Sequence, residues 1–294
     1  ARDPPLAGHR GEEPAAVSLE TPFQSLSPAA HRRHTMSQAV NPEFRTKVDA
    51  LLDSMIETIY KTVPAVRYLA SAQQVDLELF KRHTIETILR IRLARIADSK
   101  AILLFTKSDP VAAHKWAKYM EEEMLHDKLF LKDLKNVGME EEQVYGTEPL
   151  LATQLLQGYL YYTIEHEGAR GLISKSYFVE YTTRKTQAAW NENVKRSLGD
   201  KAVRGAEAHL SYDVDEDHST DVWNVLMTTV KSPADEERVL RHMHVYFGLF
   251  TAYFNELASK TKSDLVPDFK GVANTVVLSA HEGARKDAPT AVKA

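Results

Sequence analysis

The chain has 294 residues, a formal charge of −4, 12 histidines and no cysteine. The missing cysteine excludes a disulfide framework, a thiolate zinc site, a cysteine nucleophile and a cysteine-held iron–sulfur cluster, so any bound metal must sit on oxygen and nitrogen. Mild acidity without a long basic run argues against a nucleic-acid partner, and no apolar stretch approaches the ~20 residues that span a bilayer, so a soluble, cytoplasmic protein is expected.

Residues 1–35 hold five of the twelve prolines, balanced charge and no sustained apolar period. They are expected to be a leader or disordered tail, and they lack the roughly 7–15 apolar residues of a secretory signal. A helical domain is expected over 36–262 and a flexible tail over 263–294. Asn41-Pro42, a capping residue with proline at the first helical position, starts an amphipathic run to about Tyr60, with a break near Pro64. From Val75 to Thr106 the apolar positions Leu79, Ile85, Ile88, Leu89, Leu93 and Ile96 predict one long helix, with a kink allowed by its length. Asp109-Pro110 and Gly138 bracket a helix over 110–137. A Leu- and Tyr-rich segment runs from Pro149 to Gly168, a kink is expected at Gly168 and Gly171, and a helix follows from Leu172 to Leu198. Another helical stretch covers Lys201 to about Lys231, and Ser232-Pro233 starts a last helix through Leu257. The fold class is all-α.

Two acid-rich stretches lie in these helices, Glu121-Glu122-Glu123-Met124-Leu125-His126 and Asp213-Val214-Asp215-Glu216-Asp217-His218. Positions three apart share a helix face, and a Glu-x-x-His pair projecting inward is how helical bundles hold two iron or manganese ions. His126, Phe130 and Leu134 are spaced by four, which places the imidazole on an apolar face. The plainer alternative is a solvated acidic face with a packed histidine. Glu180 stands alone among Tyr177, Phe178, Val179, Tyr181 and Trp190; it is either exposed by helical phase or buried and paired. The last cluster has two registers, one placing Ser211, Asp215 and His218 on a face, the other His209, Asp213 and Glu216, and both cannot point fully inward. Its crowded carboxylates repel one another unless a cation or solvent intervenes. Glu165, His166 and Glu167 read as a helix end, His242 and His244 as packing residues, and the Tyr159, Tyr161, Tyr162 and Tyr177 group as core. The pairs Glu86 with Arg90 and Arg95 with Asp98 read as exposed helical ion pairs.

The run Glu122-Glu123-Met124-Leu125-His126-Asp127, followed 54 residues after His126 by Glu180 and then by Ser211-Tyr212-Asp213-Val214-Asp215-Glu216-Asp217-His218, resembles the haem-oxygenase-like diiron oxidases and oxygenases. The resemblance covers about residues 45–260. It implies a seven-helix bundle, two Fe(II)/Fe(III) ions and O2 as co-substrate, with Glu123, His126, Glu180, Asp215 and His218 as ligands. His209, Asp213 and Glu216 form the alternative set, and Glu86 is the nearest candidate for a carboxylate on the preceding helix. The chain departs from the family's His-x-x-x-Asp-x-x-His at Ser211, where histidine is usual. The implied reaction is oxidation of a small, amino-acid-derived substrate by N-oxygenation, desaturation or oxidative C–C cleavage, with Arg92, Arg95 and Arg184 as candidate partners for its carboxylate. A homodimer is allowed, and neither nucleic acid nor membrane is expected. The rival readings are a metal-independent, thiaminase-like enzyme, which the absence of cysteine disfavours, and a helical binding module; haem lacks a persuasive axial histidine.

Overall fold

A computed structural model describes residues 42–215 and 217–266, with the side chains of 42 and 213–215 excepted. The expected leader over 1–35 and the tail beyond 266 lie outside the described residues.

Helix α1 (Pro42–Thr62) buries Phe44, Val48, Leu52 and Met55 at helical spacing, and α2 (Pro64–Ser71) restarts at a proline after the extended Val63. Helix α3 (Leu77–Ser108) is continuous for 32 residues, about 48 Å at 1.5 Å per residue. Asp76 caps it by accepting from the Leu79 N–H at 2.9 Å, and Asp109 caps α4 (Pro110–Glu123) in the same way through Ala112 at 3.0 Å. The helix expected over 110–137 is two, because α4 stops at Glu123 and α5 (Asp127–Asn136) begins after a tight turn. The chain then passes Gly138, whose φ of +83° suits glycine, into α6 (Glu141–Tyr145) and α7 (Leu151–His166). Helix α8 (Arg170–Leu198) is followed by a 3₁₀ turn (Asp200–Ala202). The expected 201–231 stretch also divides, into α9 (Arg204–Asp215) and α10 (His218–Thr228). Helix α11 (Pro233–Thr261) closes the bundle, started by the Ser232 cap and followed by a 3₁₀ turn whose Leu265 packs back on the core.

Taking α4 with α5 and α9 with α10, and setting aside the short α2 and α6, the described residues form seven helices of bundle length and no strand. Helices α3 and α8 are central: α3 packs on α4, α5 and α7, and α8 on α2, α7, α9, α10 and α11. Trp116, Tyr177, Trp223 and Tyr246 are fully buried at the heart of this packing. Burial of that apolar surface, rather than helix propensity, is the main stabilising term. Among the described residues no helix is long and apolar enough to cross a membrane.

Candidate metal centre

The α4–α5 break sits inside the acidic motif. From Glu123 to Leu129 the backbone hydrogen bonds tighten to i,i+3, His126 N to Glu123 O at 3.2 Å and Leu129 N to His126 O at 3.0 Å. Leu125 is left 63% exposed and His126 is turned inward. Glu123 and His126 are therefore not inside one continuous helix, yet they meet, with His126 Nδ1 2.9 Å from Glu123 Oε2.

Two arginines hold this turn. Arg95 donates to the Met124 carbonyl at 2.5 Å and to Asp127 Oδ1 at 2.6 Å, while Arg92 approaches Asp127 Oδ2 at 3.4 Å. Asp127 is fully buried, and its charge needs these partners. Arg92 and Arg95, expected to meet a substrate carboxylate, thus face Asp127, and Arg95 pairs with it rather than with Asp98. Arg184 is also engaged elsewhere. It donates to Ser219 Oγ at 3.0 Å and lies 3.5 Å from Asp217, binding α8 to the α9–α10 junction.

At that junction Asp217 has φ +49° and ψ +46°, a left-handed conformation that aspartate tolerates. The reversal re-phases α10 against α9, so residues from both sequence registers enter one site. His209 on α9 comes 3.9 Å from Glu123 Oε2, and its ring centroid is 4.5 Å from that of His126. His218, at the start of α10, places Nδ1 3.2 Å from Glu123 Oε1 and Nε2 3.2 Å from Glu122 Oε2. Ser211 is exposed. The side chains of Asp213 and Asp215, and Glu216 altogether, lie outside the described residues.

The packing of α9 on α5 is direct. Asp133 of α5 accepts from the N–H groups of Gly205 (2.7 Å) and Ala206 (2.9 Å), satisfying the first turn of α9. A Cβ at position 205 would lie 2.0 Å from the Leu129 carbonyl oxygen, so only glycine allows this approach. His209, one turn further on, is thereby brought to His126.

Glu180 is buried on α8, which settles the alternatives open in the sequence, and it accepts from the Tyr119 hydroxyl at 2.6 Å. Tyr119 lies one turn before Glu123 on α4, and its ring is 5.4 Å from that of His218. Burial, together with the Glu180 and Glu123 charges, raises the Tyr119 hydroxyl well above its ordinary pKa, so it keeps its proton. Burial would also raise Glu123, but hydrogen bonds from His126 and His218 and the proximity of His209 outweigh it and bring the carboxyl down to about 2. Glu86 does not join this cluster. It is fully buried, paired with Arg82 at 2.7 Å, and accepts from the Leu150 N–H at 3.0 Å, so it anchors the start of α7. The α3 carboxylate nearest in effect to Glu123 is Asp98, buried and raised to about 6 by burial, with Lys175 opposing and Glu123 adding to the rise.

Among the described residues two groups could hold a metal ion. Glu123, His126 and His209 form one, Glu123, Glu180 and His218 the other, and within each the candidate donor atoms lie within 4.8 Å of one another. Glu123 belongs to both. Glu123, Glu180 and His209 also line a cavity of about 240 Å³, far more than the roughly 10–15 Å³ a single water requires.

Comparison with known proteins gives the fold. No family model matches the chain, and no curated protein matches it. It is similar to a domain of unknown function with a haem-oxygenase-like fold from Shewanella denitrificans OS217, at a TM-score of 0.66 and 18% identity over 74% of this chain and 92% of that one. The fold is accordingly all-α and haem-oxygenase-like.

Proposed function

We propose that the chain is an O2-activating non-haem diiron enzyme that oxidises a small substrate by N-oxygenation, desaturation or oxidative C–C cleavage. The observation that carries this reading is the sharing of Glu123 between two three-residue groups of oxygen and nitrogen donors. A carboxylate has two oxygens and can bridge two ions, and the mix of carboxylate and imidazole suits iron. One iron would be held by Glu123, His126 and His209, the other by Glu123, Glu180 and His218. His209, rather than the exposed Ser211, meets Glu123. The chemistry such a pair supplies when bound is the binding and reduction of dioxygen.

The protein's own groups fix and shield the site. Tyr119 keeps its proton and orients Glu180. Glu122 stands 3.2 Å from His218 Nε2 and Glu123 stands 3.2 Å from its Nδ1, so the two carboxylates orient the imidazole between them. Arg95 and Asp127 hold the turn that turns His126 inward. The three arginines that favoured an amino-acid-derived substrate are engaged in structural pairs, so that preference loses its basis.

Anaerobic titration with Fe(II), followed by O2 uptake in the presence of a panel of amino acids, amines and carboxylic acids, tests the reading. About two irons per chain and substrate-accelerated uptake are expected, with His126→Ala and Glu180→Ala each lowering the iron content. Failure of the wild type to bind iron, or full iron content in both variants, would reject the proposal in favour of a metal-independent enzyme or a binding module.

A further inference from the structure

We propose that Trp223, Tyr177 and Tyr181 form a one-electron relay joining the Glu123 centre to the surface between α1 and α8, where an external one-electron donor delivers its electron. This rests on the reading of that centre as a redox metal site. The line starts at His218, a member of the second metal group, which shares α10 with Trp223 five residues later, about 7.5 Å along the helix axis. Both side chains are buried. The ring centroid of Trp223 lies 4.9 Å from that of Tyr177, and that of Tyr177 lies 6.1 Å from that of Tyr181, one turn further along α8. Trp223 and Tyr177 are fully buried and Tyr181 is half-buried, so the line of rings ends at solvent.

Two tyrosines four residues apart on α8 donate to two aspartates four residues apart on α1, Tyr177 to Asp49 Oδ1 at 2.5 Å and Tyr181 to Asp53 Oδ1 at 2.9 Å. One such bond only fastens two helices. A repeated pair on a line of rings also meets the chemical requirement of tyrosine oxidation, because a phenol that loses an electron becomes a strong acid and needs a base to take its proton. The aspartates are acceptors already in place. At rest, burial and the aspartate charges hold both hydroxyls above their ordinary pKa, so each keeps its proton. In the step, the Tyr177 ring gives one electron through Trp223 to the oxidised centre and its hydroxyl proton moves to Asp49, leaving a neutral phenoxyl radical and a carboxylic acid. Tyr181 then gives one electron to Tyr177 and its proton to Asp53, while the Asp49 proton returns to Tyr177. A donor at the surface, an ene-diol such as ascorbate, refills Tyr181 as the Asp53 proton returns, so the net change is one electron moved from donor to centre. Trp223 has no such base. Its Nε1 is buried without a hydrogen-bond partner, and the Arg45 guanidinium lies 5.8 Å from its ring, so a positive charge on the indole is disfavoured and the radical settles on Tyr177. Tyr119 also donates to a carboxylate, but Glu180 is assigned to iron, so Asp49 is the first acceptor on this line outside the metal groups.

The test uses anaerobic full-length protein with photogenerated tris(bipyridine)ruthenium(III) as the one-electron oxidant, read by electron paramagnetic resonance. In metal-free protein a tyrosyl radical is expected, largely lost in the Tyr177→Phe, Tyr181→Phe double variant and formed about tenfold more slowly in Asp49→Asn, Asp53→Asn. Tyr162→Phe, at an exposed site on α7, is the control and should change nothing. In Fe(II)-loaded protein the relay runs in reverse, and oxidation of the iron should slow about tenfold in Tyr177→Phe and in Trp223→Phe at unchanged Fe(II) stoichiometry. Tyr177→Phe keeps the ring and guards against a folding failure in Trp223→Phe. No tyrosyl radical in metal-free wild type, a radical undiminished in the double variant, or wild-type iron oxidation in Tyr177→Phe would overturn the proposal. A wild type that gives the radical at these tyrosines and binds no iron would reject only the diiron reading, and one that binds iron without that radical would reject only the relay.

Discussion

Glu123 divides its two oxygens between partners, Oε2 toward His126 and Oε1 toward His218. Removing its charge should therefore act on both metal groups, whereas removing a residue from one group should act on one. We expect Glu123→Gln to bind less than one iron per chain, and His209→Ala and Glu180→Ala to keep about one of the two that bundles of this kind hold. Elemental analysis after anaerobic loading measures this, and equal losses in all three would contradict a shared ligand. Asp98 gives a pH prediction. Its folded pKa of about 6 lies above the ordinary carboxylate value, so its contribution to stability is full at low pH and is lost as pH rises through 6. Asp98→Asn should stabilise chelator-treated protein at pH 8, by on the order of 1–3 kcal/mol, with the gain gone near pH 4. Denaturant melts across that range would show it, and a gain independent of pH would contradict it. Glu123, His126, Glu180 and His218 were legible because residue type and helical spacing mark them. Asp98 was not, since it lies three residues from Arg95 and reads as its partner, while the structure sends Arg95 to the buried Asp127 on another helix.

Helix starts were readable wherever chemistry marks them. Asn41-Pro42, Asp109-Pro110 and Ser232-Pro233 coincide with the starts of α1, α4 and α11. The two breaks that shape the site carry no such mark. Met124 (φ −54°, ψ −34°) and His126 (φ −61°, ψ −25°) keep right-handed helical dihedrals while the hydrogen-bond spacing changes, which needs neither glycine nor proline. At Asp217 a single left-handed aspartate separates two helices, so one histidine of each register, His209 and His218, reaches Glu123. Gly205 is the residue on which the α9–α5 contact depends. Gly205→Ala places a methyl against the Leu129 carbonyl, which the backbone must move to relieve. We expect a loss of about 1–3 kcal/mol, read as a lower melting temperature, together with weaker iron binding by the His126–His209 group. Unchanged melting and iron content would mean that α9 is free to shift.

The bundle brings residues from α1, α3, α8 and α11 to one cavity, and that assembly was not readable in advance. Ile59, Phe80, Trp190 and Phe254 are each ordinary apolar positions on their own helices, and only packing turns them into one wall. The same packing draws Arg92 and Arg95 to Asp127 and Arg184 to Asp217, while Arg90, read in the sequence as a helical partner of Glu86, lines the cavity and Glu86 pairs with Arg82. The all-α class was legible throughout, because helical periodicity is written locally along every segment. The most direct measurement is anomalous X-ray diffraction at the iron edge from crystals loaded anaerobically with Fe(II). We expect two peaks on the order of 3.5–4 Å apart with Glu123 between them, one beside His126 and His209 and the other beside Glu180 and His218. A single peak, or iron bound away from Glu123, would contradict the diiron centre.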